Sequence, residues 1–399
     1  MAPRIQCKIC KGDHLEMNCP VMKQISSFLP KVKENLSGSS PPEIFVGRFN
    51  YPNIYAGVLS PQIYGETEQF AMPELWHKQN LNIQQILNLR SQLIYGRFRT
   101  NIKTLNEKKF LPIMQEIALA SKPTATEFQF AKPVKTQIQS TSFYPIISNQ
   151  APLKKIVLEE NPHTEKRVEY IINDDELKSI EGVKDLYKHK IPISNIVKIL
   201  SAGLLGLKKN RKLVPTRWSI TAVDDTISKT MIARIKSYQE ISDFRVFHAE
   251  YVGNYYEFIL FPSSFSFEVI EIRLNPDNTY DGIWQDSETI FKRKKYAESV
   301  TGAYYANRLA LTEYLEKIQR QAAFLALRQV TPDYWAPLGV GILREASRSA
   351  FTQRPETFST LQEALNSAQT RLRIPVQTYT EKSNLIKNFK TQRTLRDFF

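Results

Sequence analysis

The chain has 399 residues and a formal net charge of +14, with 42% hydrophobic and 11% aromatic residues. That composition supports two or three domains with cores of their own and excludes a wholly disordered basic arm. The surplus of Lys and Arg favours polyanionic partners, nucleic acid first. No apolar run approaches the roughly 18 residues that span a bilayer, and the start MAPRIQCK has no signal-type apolar stretch, so the expectation is an intracellular, cytoplasmic protein without a membrane partner.

The three cysteines, Cys7, Cys10 and Cys19, fall within CKICKGDHLEMNCP, which also offers His14. Three thiolates and an imidazole suit tetrahedral zinc, and so short a segment needs such a staple to fold. One structural Zn2+ in a zinc-finger-like segment, 1–22, is expected. The spacing resembles a zinc knuckle with one residue fewer between Cys10 and His14. Residues 23–42, ending in Gly38-Ser39-Ser40-Pro41-Pro42, read as a linker. The text PPEIFVGRFNYPNIYAGVLSP, 41–61, reads as short strands joined by constrained turns.

Helical periodicity covers 81–94, followed by a basic edge of Arg97, Arg99 and Lys103. Further helices are predicted over 107–121, 175–188 and 194–207, with Asn173 or Asp174 and Ser194 as N-caps. Residues 168–172 read as a strand. The runs FRVFHAEYV, YYEFILF and SFEVIEIRL, between 244 and 274, read as an antiparallel meander. The fold class is therefore α+β: a mixed domain over 43–290, a mostly helical one over 291–380 and a flexible tail over 381–399.

In KKNRKLVPTRWSITAVDDTISKTMIARI, 208–235, the residues Lys208, Lys209, Arg211 and Lys212 form a basic loop suited to DNA contact. An apolar strand over 220–223 is expected to lead to Asp224 and Asp225 at the opening of a helix, where carboxylates cap exposed amides. A second reading gathers Arg48, Arg217, Asp224 and Asp225 around one pocket for a phosphate or a divalent metal, as in a nucleotide- or DNA-processing enzyme. No Walker loop, GxGxxG or HExxH occurs, and His77, His163, His189 and His248 share no ligand spacing, so no catalytic constellation is recognisable. Lys292, Arg293, Lys294 and Lys295 form a second basic cluster. A long helix is predicted over 296–330, then a turn at Tyr334, Trp335 and Gly339 leading into a strand, an Arg344–Glu345 ion pair, and a helix with Ser359 and Gln362 at capping-box spacing.

The basic text EKSNLIKNFKTQRT, read as an extended linker, leads to the end of the sequence. There Gln392, Leu395, Phe398 and Phe399 fit Q-x-x-Φ-x-x-aromatic-aromatic, the box that binds sliding clamps (PIP box). In a 3₁₀ turn residues i and i+3 eclipse, so Leu395 and Phe398 share a side next to Phe399 and form an apolar plug. Each buried side chain gains roughly 1.5–3 kcal/mol less the cost of ordering the tail, which predicts micromolar affinity.

Three segments, PPEIFVGRFNYPNIYAGVLSP, KLVPTRWSITAVDD and DYWAPLGVGILREA, stand in that order behind a Cys-rich start. Together they resemble the archaeal Nre family over nearly the whole chain. The resemblance implies a part in DNA damage repair, a zinc-finger-like N-terminus and a C-terminal peptide for the sliding clamp (PCNA). Relatives usually carry a cysteine where this chain offers His14, and no catalytic residue comes with the resemblance. The expectation is a chromosome-associated DNA repair factor, brought to clamp-loaded DNA by its tail, contacting DNA through basic surfaces and open to other repair proteins as partners.

Overall fold

The Gly-Ser text that reads as a linker is a strand: Asn35–Ser40 forms β1, and Leu36, Ser39 and Ser40 are buried in it. Small side chains there let another backbone approach, and a Cβ on Gly38 would stand 2.2 Å from the Pro61 carbonyl oxygen. The computed structural model describes residues 7, 18–26, 34–104, 107, 109–139, 142–291 and 293–391. Two compact units emerge, Met1–Ile227 with Trp335–Ile342, and Ser228–Tyr334 with Leu343–Phe399. Both mix helices with a sheet, so the α+β class holds. Among the described residues no helix is long and apolar enough to cross a membrane.

Among the described residues the first unit holds seven strands: β1, then β2 (Glu43–Val46), β3 (Asn53–Ser60), β4 (Ile94–Asn101), β5 (Thr124–Phe130), β6 (Lys135–Gln139) and β7 (Ile147–Leu158). Their order is β1-β5-β7-β4-β3-β2, with β6 on β7, and the β4–β7 pair is parallel. One face packs Ile54, Ala56 and Val58 of β3, Ile94 and Phe98 of β4 and Phe128 of β5 against Leu111, Met114 and Ile117 of the helix Leu111–Leu119. That helix begins four residues later than its periodicity predicts. The Glu107 carboxylate accepts from the amides of Lys109, Phe110 and Leu111 at 2.7, 2.8 and 2.7 Å, satisfying donors that a helix start leaves open. On the other face Arg90 is buried, 3.6 Å from Glu43, and donates to the carbonyls of Phe70 and Ile146 at 3.1 and 3.3 Å. Burial pushes the Glu43 carboxyl up and the Lys198 ammonium down from their usual ranges.

Residues 168–172, read as a strand, lie in the helix Lys166–Asn173, where Val168 and Ile171 meet the core at i, i+3 spacing. The helices expected over 175–188 and 194–207 are Ser179–Lys188 and Ile193–Ser201, preceded by Lys178 and Pro192 rather than by side-chain caps.

The second unit holds β8 (Phe244–Tyr251), β9 (Asn254–Phe261), β10 (Ser266–Leu274), β11 (Tyr280–Glu288), β12 (Ala323–Val330) and β13 (Glu356–Phe358), in the order β11-β10-β12-β9-β8-β13. The meander is thus only half present. β8 and β9 form a hairpin, but β12 separates β9 from β10, antiparallel to the first and parallel to the second. The helix expected over 296–330 is correspondingly two elements, the helix Gly302–Ile318 and β12. Every residue of β12 is buried, so its run has no polar face to reveal a period. Likewise the expected strand after Gly339 is the helix Val340–Ala350. Glu345 pairs with Arg348 at 2.9 Å, and Arg344 is buried. The capping box falls one residue later than expected, on Thr360 and Glu363 of the helix Leu361–Gln369.

The tail is anchored further than its composition suggests. Asn384–Thr391 is a helix with Leu385 and Ile386 buried and Phe389 packed edge-on against Phe244 and Phe261, at ring separations of 5.8 and 5.3 Å. The clamp-box residues Gln392, Leu395, Phe398 and Phe399 lie outside the described residues, as do Cys10, His14 and Lys292.

Candidate nucleic-acid interface

The outer face of the first unit's sheet is open at one end, where β2, β3 and β4 meet the start of the helix Thr216–Ile235. Alternation along β3 turns Ile54, Ala56 and Val58 to the core and Tyr55 outward, 40% exposed. On β4 the same alternation turns Arg97 and Arg99 outward. Arg99 stands opposite Tyr55 in the ladder, and the Arg97 guanidinium lies 4.4 Å from the Tyr55 ring centre.

The turn between β2 and β3 carries two further rings. Asn50 takes a left-handed conformation, φ 60°, which an asparagine tolerates, and the Tyr51–Pro52 peptide is cis. Backbone bonds from Gly47 to Tyr55 and from Asn53 to Asn50, both 2.8 Å, close the turn, and Ile102 donates to the Pro52 carbonyl at 3.0 Å. Phe49 and Tyr51 stand out from it, 71% and 45% exposed, with Arg48 against Phe49 at 5.7 Å.

The helix Thr216–Ile235 is pinned at the same edge, because Val46 donates to the Thr216 hydroxyl at 3.0 Å and Leu213 to the Ile102 carbonyl at 2.9 Å. Trp218 in its first turn is 42% exposed and leans on Tyr51 at 5.2 Å. Arg217 beside it is half-buried over the Phe143 ring at 3.8 Å. The segments 47–60, 94–104 and 208–223 carry nine Lys or Arg and no Asp or Glu. These segments bring a surplus of cations to this edge, with Lys208 paired to Asp175, and open rings stand among them.

The other sequence-predicted sites fare unequally. Asp224 and Asp225 do not open a helix, since Thr216–Ile235 is one helix and both lie in its third turn, Asp224 fully buried. The capping reading is therefore overturned, along with the strand expected over 220–223. Alternating apolar and polar residues in SITAV match strand periodicity, yet Pro215 and Thr216 start the helix before them. Arg217 and Asp224, seven residues apart, share a helix face at roughly 10 Å along the axis, while Arg48 lies in the β2–β3 turn.

In the basic loop Lys208 pairs with Asp175 at 2.7 Å, and Arg211 donates to the carbonyls of Gly206 and Asp174 at 2.8 and 3.1 Å. Lys209 and Lys212 are exposed. In the second cluster Arg293 is held by Asp286 at 2.7 Å and by two backbone carbonyls at 2.9 Å, whereas Lys294 and Lys295 are exposed. The histidines stay apart: His163 meets the Ser121 hydroxyl at 2.7 Å and His189 the Asp185 carboxylate at 3.1 Å. Cys7 and Cys19 are buried and form no disulfide, and among the described residues no three metal-type side chains gather. Sequence reasoning named Arg48, Arg97, Arg99 and Lys103 but missed Phe49, Tyr51, Tyr55 and Trp218. The available signal was a Gly/Pro-rich aromatic text without a carboxylate over 47–60.

Two family models account for nearly all of the chain: "Archaeal Nre, N-terminal" matches residues 15–280 and "Archaeal Nre, C-terminal" residues 288–398. A protein named DNA repair protein NreB from Archaeoglobus fulgidus is 36% identical over 99% of this chain and all of its own length. DNA repair protein NreA from the same organism is 34% identical over 92% of this chain and 94% of its own. The protein of that name from Haloferax volcanii is 30% identical over 94% and 93%. No solved structure matches the chain.

Proposed function

From the premise that the chain belongs to the archaeal Nre family of DNA repair proteins, we propose that it is a repair factor recruited by the sliding clamp and held on DNA by its basic aromatic face. The observation that carries the recruitment reading is the docked helix Asn384–Thr391, the last described element ahead of the clamp-box text. Phe389 and the buried Leu385 and Ile386 anchor the chain a few residues ahead of Gln392, Leu395, Phe398 and Phe399 in the sequence.

The DNA contact rests on the cations Arg48, Arg97, Arg99 and Lys103 and on the exposed Lys209 and Lys212 of the basic loop. For the N-terminus, two buried thiols in so short a segment fit a metal better than a core. Cys19 directly precedes the helix Pro20–Ser26, whose Val21 and Ile25 are buried. Cys7, Cys10, His14 and Cys19 would hold one zinc ion, and its chemistry there is structural. Calorimetry of the full chain and of a chain lacking Gln392–Phe399 against an archaeal sliding clamp tests the recruitment. Micromolar binding by the full chain and none by the shortened one is expected; equal affinity of the two overturns the tail assignment.

A further inference from the structure

Duplex DNA stacks its bases inside the helix, so a protein that grips its outside needs cations and donors and gains little from open aromatic rings. Single strands present base faces, and each base stacked on an exposed ring contributes to affinity whatever its identity. The face built by β3, β4, the β2–β3 turn and the start of the helix Thr216–Ile235 has the second composition. Phe49, Tyr51, Tyr55 and Trp218 are all at least 40% exposed, and the segments that carry them hold Lys and Arg but no Asp or Glu before Asp224. Exposing four large rings together is unfavourable in water and needs an occupant to explain it. An apolar protein partner would not call for the cations interleaved among them, Arg48 at Phe49 and Arg97 at Tyr55.

We infer that this face is a binding site for single-stranded DNA, with bases stacked on Phe49, Tyr55 and Trp218 and phosphates on Arg48, Arg99 and Lys103. The inference rests on the DNA-contact reading above and narrows it. The rings are braced from behind, since Tyr51 supports Trp218 from one side, Arg97 covers one face of Tyr55, and backbone bonds close the turn that carries Phe49. Stacking platforms held in place lose little freedom when a base arrives.

The test is fluorescence anisotropy of the full chain with a labelled oligo-dT strand of about 12 nucleotides, the matching duplex and an oligo-U strand. The dT strand is expected to bind about tenfold or more tighter than the duplex. Trp218→Ala and Phe49→Ala are each expected to weaken it by about tenfold or more. Arg99→Ala should lower the slope of log affinity against log salt by about 0.7, the share of one phosphate contact on a single strand. Phe49 is 71% exposed on a turn, so its variant keeps the fold, and equal urea midpoints verify that for all variants. Tyr170, an exposed ring near Asp185 and Glu181, is the control, and Tyr170→Ala leaves binding unchanged. Equal affinity for strand and duplex, with the ring variants unchanged, overturns the single-strand assignment and leaves general DNA contact standing. Binding to neither overturns both, and tighter binding to oligo-U overturns the choice of DNA.

Discussion

Glu268 of β10 is closed off from water, yet its carboxylate is fully engaged. It accepts from the backbone amides of Asn384 and Leu385 at 3.0 and 3.1 Å, and from the Ser383 hydroxyl and the Gln285 side-chain amide. A strand residue thus caps the last described helix, where negative charge and exposed N–H groups suit each other. In Glu268→Ala those donors lose their acceptor. A lost cap costs about 1 kcal/mol, and a hydrogen bond to a charged group contributes about 1.5–3 kcal/mol. Part of this is regained because the helix end can hydrate once open, which leaves roughly 2–4 kcal/mol against the helix Asn384–Thr391. At a factor of ten per 1.4 kcal/mol, amide exchange over 386–391 should quicken by roughly 30- to 700-fold. Glu268→Gln keeps one acceptor and turns an NH2 toward the amides, so about half the effect is expected. Hydrogen exchange followed by mass spectrometry reads both variants. Unchanged exchange over 386–391 in Glu268→Ala would refute the claim that this carboxylate holds the helix.

Glu257 offers a pH prediction. Burial pushes its carboxyl up from 4.5 to about 7, although Arg371 pairs with it at 2.8 and 3.0 Å and pulls the other way. A raised folded pKa means the native state holds the proton more tightly, so this contribution is full below about pH 4.5 and is lost as pH rises through about 7. Between those limits the wild type should lose on the order of 2–3 kcal/mol relative to Glu257→Gln; parallel urea stabilities from pH 4.5 to 7.5 would contradict it. For the N-terminus, metal analysis should give one zinc per chain, lost in Cys7→Ser and Cys19→Ser. Unchanged stoichiometry in both variants removes the zinc proposal.

What the sequence reveals depends on whether an element has two distinguishable faces. Ile83–Ser91, with the Asn82–Gln85 capping box, is legible because its buried Ile83, Ile86 and Leu87 recur at helical spacing. The β8–β9 hairpin is legible for the matching reason in strands. β12 is not, since it is buried on every side and any period fits it. The position of β10 depends on a partner that arrives some fifty residues later in the chain. At the candidate interface the cations could be read from the text, whereas the rings could not. Aromatic residues in a Gly/Pro-rich stretch look the same whether a turn buries them or presents them, and only the bonds of Gly47, Asn53 and Val46 decide which.

The placement of β12 has a consequence for anyone dividing the gene. The C-terminal family region begins at residue 288, and of the six strands in the second sheet it supplies β12, β13 and only the last residue of β11. Expressed alone, it would carry an apolar central strand stripped of β9 and β10, with both edges open to whatever pairs with them first. The complementary fragment would hold β9 and β10 apart around an empty slot. A ribosome faces the same problem in time, because the sheet stays open until 323–330 has been made. The two family regions are therefore better mixed as separate chains that complement each other than studied as independent domains.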